Sequence, residues 1–239
     1  MTAPTRPRAV VFDWGGTLTP WHSIDHREQW RHFSSAYDPA RADELAGDLA
    51  AAESELWARA RDHSRSGTLE EVFVACGVDI ASAAYVSALA AYHAGWEPHT
   101  LTDPDVPDLL RELRGMGLRI GVLSNTLWTR DYHEAVFARD GLSGLIDGAV
   151  YSSELPWTKP HPAAFAAARA AVGVPEAPEC VFVGDRPYDD IHGARAAGMR
   201  AVLVPHSAIP VDQRGHVEGE PDAVVQRLAD VAAVVRDWL

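Results

Sequence analysis

Four short stretches carry polar residues at the ends of apolar runs, where a buried core has no use for them. The first is Asp13-Trp14-Gly15-Gly16-Thr17, directly after Val10-Val11-Phe12. A carboxylate in that position can attack phosphorus or ligate a metal, and paired glycines let the backbone approach a bound anion closely. Asp13 could equally serve as the N-cap of a helix. The second stretch is Ser124-Asn125-Thr126 after Leu118–Leu123, where a hydroxyl and free backbone N–H groups suit a phosphate oxygen, or else simply cap a helix. The third is Lys159 in Trp157-Thr158-Lys159-Pro160-His161-Pro162. The prolines constrain this loop and start a helix, so the ammonium would be held in place to offset charge on a transferring group. The fourth is Gly184-Asp185-Arg186-Pro187-Tyr188-Asp189-Asp190 after Cys180–Val183. Three carboxylates so close together at a buried strand end repel one another unless a hard cation binds them, whereas in water they would form an ordinary acidic turn. Oxygen ligands from Asp13, a backbone carbonyl and Asp185 match Mg²⁺, which keeps several waters and meets substrate phosphates.

The elements that must carry these residues follow from periodicity. Arg8–Phe12 is a short, partly β-branched run that reads as a buried strand opening into a glycine loop. From Trp21 to about Gly95 the pattern is helical, over Ile24–Tyr37, Ala40–His63, Leu69–Cys76 and Ile80–Ala94. After Pro98 the spacing predicts alternation: helix Val106–Arg114, strand Leu118–Leu123, helix Thr129–Arg139, strand Ala149–Ser152, helix Pro162–Val172, strand Cys180–Val183, helix Asp190–Ala197, strand Ala201–Val204 and a closing helix from Ala223. Strands of about five residues alternating with helices of about ten give an α/β fold, a Rossmann-like parallel sheet with helices on both faces. The expected division is a core of residues 1–19 and 97–239 interrupted by an all-helical insert of residues 20–96, leaving from the end of the first strand and so placed to cover a site at the carboxyl edge of the sheet. Pro205–Pro221 reads as a surface loop.

These four motifs, in this order, resemble those of the haloacid dehalogenase-like hydrolase superfamily. Asp13 and Thr17 fit its first motif, Ser124 the second, Lys159-Pro160 the third, and Gly184-Asp185 with Asp189-Asp190 the fourth. The resemblance implies a Rossmann-like core with a helical cap inserted after the first motif, and a phosphatase acting on a small phosphorylated metabolite through an aspartyl-phosphate at Asp13. It further implies a Mg²⁺ cofactor held by Asp13, the Gly15 carbonyl, Asp185 and Asp190, with Gly16, Thr17, Ser124, Asn125 and Lys159 receiving the phosphoryl group. Asp190 would act through water or orient Lys159, and its division of labour with Asp189 stays open.

One position departs from that pattern. Phosphatases of the superfamily usually carry a second Asp two residues after the nucleophile, as general acid and base; here Gly15 stands there. Phosphonoacetaldehyde hydrolases are similar in this motif but use a cap lysine, and Lys159 is the only lysine of this chain. Haloacid dehalogenases also lack the second Asp, but their fourth motif is not of this acidic, metal-binding kind. Phosphomutases lean on the missing Asp. The alternatives that remain are a phosphatase whose proton transfers fall to another group or whose substrate has a good leaving group, a non-catalytic protein binding Mg²⁺ or a phosphorylated ligand, and a dehalogenase. His22 and His26, four apart, would share a helix face and could carry protons. Trp21, Trp30 and Trp57 could line an apolar pocket or pack helices together.

Composition bounds the partners. With 239 residues, 47% hydrophobic, the chain has ample material for a core. A net charge of −13 disfavours nucleic acid and anionic membranes as partners. No apolar run approaches the roughly 20 residues of a membrane helix, and the polar start, Met1–Arg8, lacks the apolar stretch of a secretory signal, so a cytoplasmic location is expected. Cys76 and Cys180 lie in apolar contexts and read as buried thiols. A monomer and a homodimer are equally compatible with this sequence.

Overall fold

The computed structural model describes residues 5–205 and 220–239. Six strands, β1 (Ala9–Phe12), β2 (Arg119–Ser124), β3 (Gly148–Tyr151), β4 (Cys180–Gly184), β5 (Arg200–Leu203) and β6 (Ala223–Val224), form one sheet in the order β3-β2-β1-β4-β5-β6. All neighbours pair parallel. The central strands are apolar on both faces because both are covered. Val10 and Phe12 pack with Ile120, Val122, Val181 and Val183 under helices α5 (Val106–Gly115) and α9 (Val231–Asp237). Ala9, Val11 and Phe182 pack on the opposite side against Phe165 and Ala168 of α7 (Pro162–Ala171). The α/β fold with a parallel sheet therefore stands.

The chain fills the sheet outward from β1 to β2 and β3, then returns to the other side of β1 with β4. That reversal between β1 and β4 is the place where an open α/β sheet leaves a crevice beyond its carboxyl ends. Register makes the crevice functional: Phe12 lies level with Val122 and Val183, and the Asp13 amide donates to the Val183 carbonyl (2.9 Å). Asp13 and Asp185 consequently leave adjacent strands at nearly the same height.

Between β1 and α5 the chain forms four helices, α1 (His26–Tyr37), α2 (Ala42–His63), α3 (Leu69–Ala75) and α4 (Ala83–Trp96). Side chains of Asp25, Thr68 and Ser82 accept the first free amides of α1, α3 and α4. An aromatic core of Trp30, Phe33, Phe73 and Tyr92 joins them, with Trp30 stacked on Tyr92 at 4.6 Å. Within it the buried carboxylate of Glu53 accepts from Trp30 Nε1 (2.8 Å) and Trp57 Nε1 (3.3 Å), and His26 Nδ1 lies 3.1 Å away.

The hydrogen bond to Glu53, aided by the charges of Glu53 and Asp25, holds the His26 imidazolium above its ordinary pKa of 6.5 against the opposing effect of burial. A raised folded-state pKa contributes stability that is complete below the unfolded value and disappears as pH rises through the folded one. The melting temperature of His26→Gln is therefore expected to fall short of the parent's at pH 5.5 and to close on it by pH 8.5. A gap independent of pH would show that His26 contributes only packing.

Several expected elements differ from what forms. Ala223–Val224 is not the start of the closing helix but a sixth strand: Val202 and Leu203 of β5 pair with it, and the helix proper starts at Val231. The expected helix Asp190–Ala197 is a wide π-turn over Pro187–His192 followed by the short helix α8 (Gly193–Ala196), because the Ile191 amide reaches back to the Arg186 carbonyl (3.2 Å). Such widened turns gather at functional sites. His22 and His26 share no helix face, because Asp25 caps α1 and leaves His22 outside it, its ring 5.4 Å from that of His99. Cys180 is buried as expected, whereas Cys76 is only half-buried. Most of the expected loop Pro205–Pro221, residues 206–219, lies outside the described residues, as do residues 1–4 of the expected polar start. Among the described residues no helix is long and apolar enough to cross a membrane.

Candidate active site

Asp13 follows β1, Ser124 ends β2, Lys159 stands on the loop before α7, and Asp185 and Asp190 flank the turn after β4. All five are buried at the carboxyl edge of the sheet. Lys159 Nζ bridges two carboxylates, donating to Asp13 Oδ1 (2.5 Å) and Asp190 Oδ1 (2.7 Å). The second oxygen of Asp190 accepts from the Arg186 amide (2.9 Å), which the π-turn delivers. Asp13, Asp185 and Asp190 each offer an oxygen within 4.8 Å of the others. Against the single ammonium, three ionised carboxylates leave the cluster at −2.

Burial raises this imbalance to an energetic problem, since charge in a low dielectric is costly unless compensated. The Asp13 carboxyl is pushed up to about 6 from 3.8, chiefly by burial, with Lys159 pulling it down and Asp190 pushing it up. Asp185 is pushed well above the usual carboxylate range by burial and then by Asp190 and Asp13. Lys159 moves the other way: burial disfavours its charge, but Asp13 and Asp190 more than offset this and hold the ammonium well above the ordinary lysine range. Asp189, beside the cluster, is pushed up to about 7 by burial and by Asp190. Asp185 Oδ2 accepts no hydrogen bond, although Arg186 Nε lies 3.5 Å from it. Unsatisfied carboxylate oxygen and surplus negative charge together fit a hard divalent cation.

Each residue that the motifs singled out has a distinct place. Thr17 Oγ1 donates to Asp185 Oδ1 (3.4 Å), tying the first motif to the fourth. Gly16 has φ +88°, and a Cβ there would lie 2.9 Å from Asp185 Oδ2, so both its backbone and its lack of side chain are required. Gly15 is exposed, and a Cβ built on it meets nothing within 4 Å. The Asn125 side chain clamps the Lys159 backbone, accepting from the Lys159 amide (2.8 Å) and donating to the Lys159 carbonyl (3.1 Å). It fixes the lysine loop through one of its two amide N–H groups and its oxygen. Between Asp189 and Asp190, only Asp190 contacts Lys159.

Trp21 and His133, outside the four motifs, complete the surroundings. The guanidinium of Arg186 lies over the Trp21 ring at 4.6 Å, bringing the segment that leaves β1 against the acidic turn. His133 is buried, with Nε2 3.1 Å from Thr126 Oγ1, stacked on Tyr151 at 4.4 Å and edge-on to Trp14 at 4.7 Å. Burial, followed by the charge of Arg130, pushes its pKa down to about 3, so it packs as a neutral ring. His133 lies mid-helix in α6 (Arg130–Arg139), where nothing in the local sequence separates it from an exposed histidine.

Known proteins resemble the chain in sequence and in fold. The chain is 26% identical over 231 residues to a glyceraldehyde 3-phosphate phosphatase of Methanopyrus kandleri, covering 96% of this chain and 97% of that one. It is 36% identical over 129 residues to a phosphoserine phosphatase of Thermus thermophilus, although this match spans only about half of either protein, 54% and 49%. Among solved structures, a 2-haloacid dehalogenase of Pseudomonas syringae pv. Tomato DC3000 superposes with a TM-score of 0.66 at 25% identity, over 98% of this chain and 100% of that one. A family model described as haloacid dehalogenase-like hydrolase matches residues 7–198. A hydrolase family that spans both phosphatases and dehalogenases thus fits four strand-end motifs gathered at one switch point, and the chain belongs to the haloacid dehalogenase-like hydrolases.

Proposed function

We propose that this hydrolase is a Mg²⁺-dependent phosphatase of small phosphorylated metabolites, with Asp13 as its nucleophile. The observation that carries the reading is the acidic cluster itself: three buried carboxylates within 4.8 Å of one another and one ammonium bridging two of them. Carbon–halogen cleavage has no use for that charge. Asp13, the Gly15 carbonyl, Asp185 and Asp190, directly or through water, would hold the cation. When bound it supplies Lewis-acid stabilisation of charge on the transferring group. Residues 20–96 act as a helical cap over a core of residues 1–19 and 97–239, and the full-length phosphatase relative from Methanopyrus kandleri supports the substrate class.

The chain's own groups account for the remaining steps. Asp13 attacks phosphorus, the bond from phosphorus to the leaving oxygen breaks, and that oxygen departs with the electron pair. Water then attacks phosphorus of the aspartyl-phosphate, releasing inorganic phosphate and restoring the carboxylate. Lys159 and Ser124 hold the phosphoryl oxygens, and Asn125 and Asp190 keep Lys159 aimed. Gly15 in place of the usual second Asp leaves the departing oxygen without an acid from the first motif, which favours substrates whose leaving group departs unprotonated.

A second reading rests on Gly15 as well. A halide needs no proton, so Asp13 could instead displace halide from carbon, as the dehalogenase of similar fold invites. Phosphate release from p-nitrophenyl phosphate and a panel of small phosphate esters, with and without Mg²⁺, set beside chloride release from 2-chloropropionate, separates the two. Mg²⁺-dependent phosphate release is expected; metal-independent chloride release alone would establish the dehalogenase.

Metal removal has its own expected outcome. A cation that binds only the folded protein stabilises it by about 2.7 kcal/mol at a hundredfold excess over its Kd. Added Mg²⁺ is therefore expected to raise the melting temperature over that in EDTA, and Asp185→Asn to reduce the gain. An unchanged melting temperature in saturating Mg²⁺ would count against a cation at this cluster.

A further inference from the structure

Between α2 and α3 the chain makes a short strap, Ser64–Thr68, that crosses to the sheet domain and lands beside the catalytic lysine. Ser64 takes a left-handed conformation (φ 51°), which turns the chain off the end of α2. From there the contacts are closely spaced. The Thr158 amide donates to the Ser64 carbonyl (3.0 Å) and the Ser66 amide to the Pro156 carbonyl (3.2 Å), so Arg65 and Trp157 form an antiparallel bridge. The Arg65 guanidinium lies 4.1 Å over the Trp157 ring, whose plane is stacked at 4.0 Å with His161. Ser66 Oγ donates to the Ser152 carbonyl, and the Leu69 amide donates to the Leu127 carbonyl (2.8 Å).

Every landing point belongs to one of the two loops that build the phosphoryl side of the site. Trp157 and Thr158 immediately precede Lys159; Leu127 follows Ser124-Asn125-Thr126; the Ser152 hydroxyl accepts from the Thr126 amide (2.8 Å) and donates to the Thr126 carbonyl (3.0 Å). Asn125 then joins those loops through the Lys159 backbone. The backbone pairing is available to any residue at 65 and 157, but the flat cation against an indole face is not.

We infer that this strap is a latch that positions Lys159, with Arg65 as its positioning residue acting through Trp157. The helical segment then does more than cover the site: its seating sets where the ammonium stands, and an unseated segment leaves Lys159 misplaced. As a claim about catalysis this rests on the phosphatase reading above. As a claim about Lys159 it does not, because Lys159 is the only lysine of the chain and gives a readout without turnover.

The test is made on the full chain with Arg65→Ala, Trp157→Ala, the double variant and Arg65→Lys. Arg65 is exposed, so its truncation leaves no unfilled core. Misplacement of a catalytic group by a fraction of an ångström costs rate steeply. For hydrolysis of p-nitrophenyl phosphate we expect kcat of Arg65→Ala to fall about 10-fold at nearly constant KM. Trp157→Ala and the double variant should match it without a further loss, since the pair acts as one unit, and Arg65→Lys, which keeps the charge but not the flat stack, should recover only part of the rate. In parallel, modification of Lys159 by trinitrobenzenesulfonate, followed on its own peptide by mass spectrometry, is expected to be slow in the parent and several-fold faster in Arg65→Ala. Unchanged labelling and kcat would overturn the latch, as would a rise in KM alone, which would make Arg65 a substrate contact. If the parent hydrolyses no phosphate ester while Arg65→Ala still accelerates the labelling, the phosphatase reading fails and the latch stands.

Discussion

Asp13→Asn is expected to lower kcat for phosphate-ester hydrolysis by about 10⁴-fold or more while leaving the protein folded. The loss is large because the amide cannot form the covalent intermediate, and no other carboxylate is free to replace it. Asp190 is held by Lys159 and the Arg186 amide, and Asp185 accepts from Thr17 and is assigned to the cation. Folding should survive because the substitution keeps the shape and removes one of three mutually repelling charges, while Lys159 retains Asp190. Steady-state kinetics with a melting curve check both halves. Residual activity within tenfold of the parent would exclude Asp13 as nucleophile, and a collapsed melting transition would mean that its main role is to neutralise Lys159.

Gly15→Asp should act in the opposite direction. A correctly placed general acid is worth roughly 10² to 10⁴ in rate, and position 15 has room for one: the residue is exposed, an added Cβ meets nothing within 4 Å, and its φ is not among the positive values that would resist a side chain. Alkyl phosphates, whose alkoxides leave poorly, are expected to gain about 10²-fold in kcat, whereas p-nitrophenyl phosphate should gain little. That contrast is the diagnostic result. Equal gains for both substrates would mean the new carboxylate assists something other than leaving-group departure, and no gain for alkyl esters would show that another group already donates the proton.

How much of this was legible in the sequence depends on the range over which each signal acts. The strands of the sheet centre could be read within a residue or so, because burial on both faces forces unbroken apolar runs such as Val10-Val11-Phe12 and Val181-Phe182-Val183. The polar residues at their ends stood out for the same reason. The edge strand Ala223–Val224 could not be read: two residues hold it by pairing with β5, and their composition suits a helix equally well. Nor could the π-turn over Pro187–His192, which arises from where Asp190 must point and not from local propensity. The clamp that Asn125 places on the Lys159 backbone left no trace in the sequence, because its partners lie 34 residues away. The strap at Ser64–Thr68 left only a Ser-Gly punctuation between helices, and its meaning depends on Trp157, far along the chain.

The covalent intermediate on Asp13 can be sought directly. The parent protein with Mg²⁺ is mixed with p-nitrophenyl phosphate, quenched in acid at times from before the first turnover into steady state, digested and weighed peptide by peptide. One phosphoryl group on the peptide containing Asp13, absent from Asp13→Asn, is the predicted result. Phosphate release with that peptide unmodified at every time, or a phosphoryl group on any other residue, would contradict it.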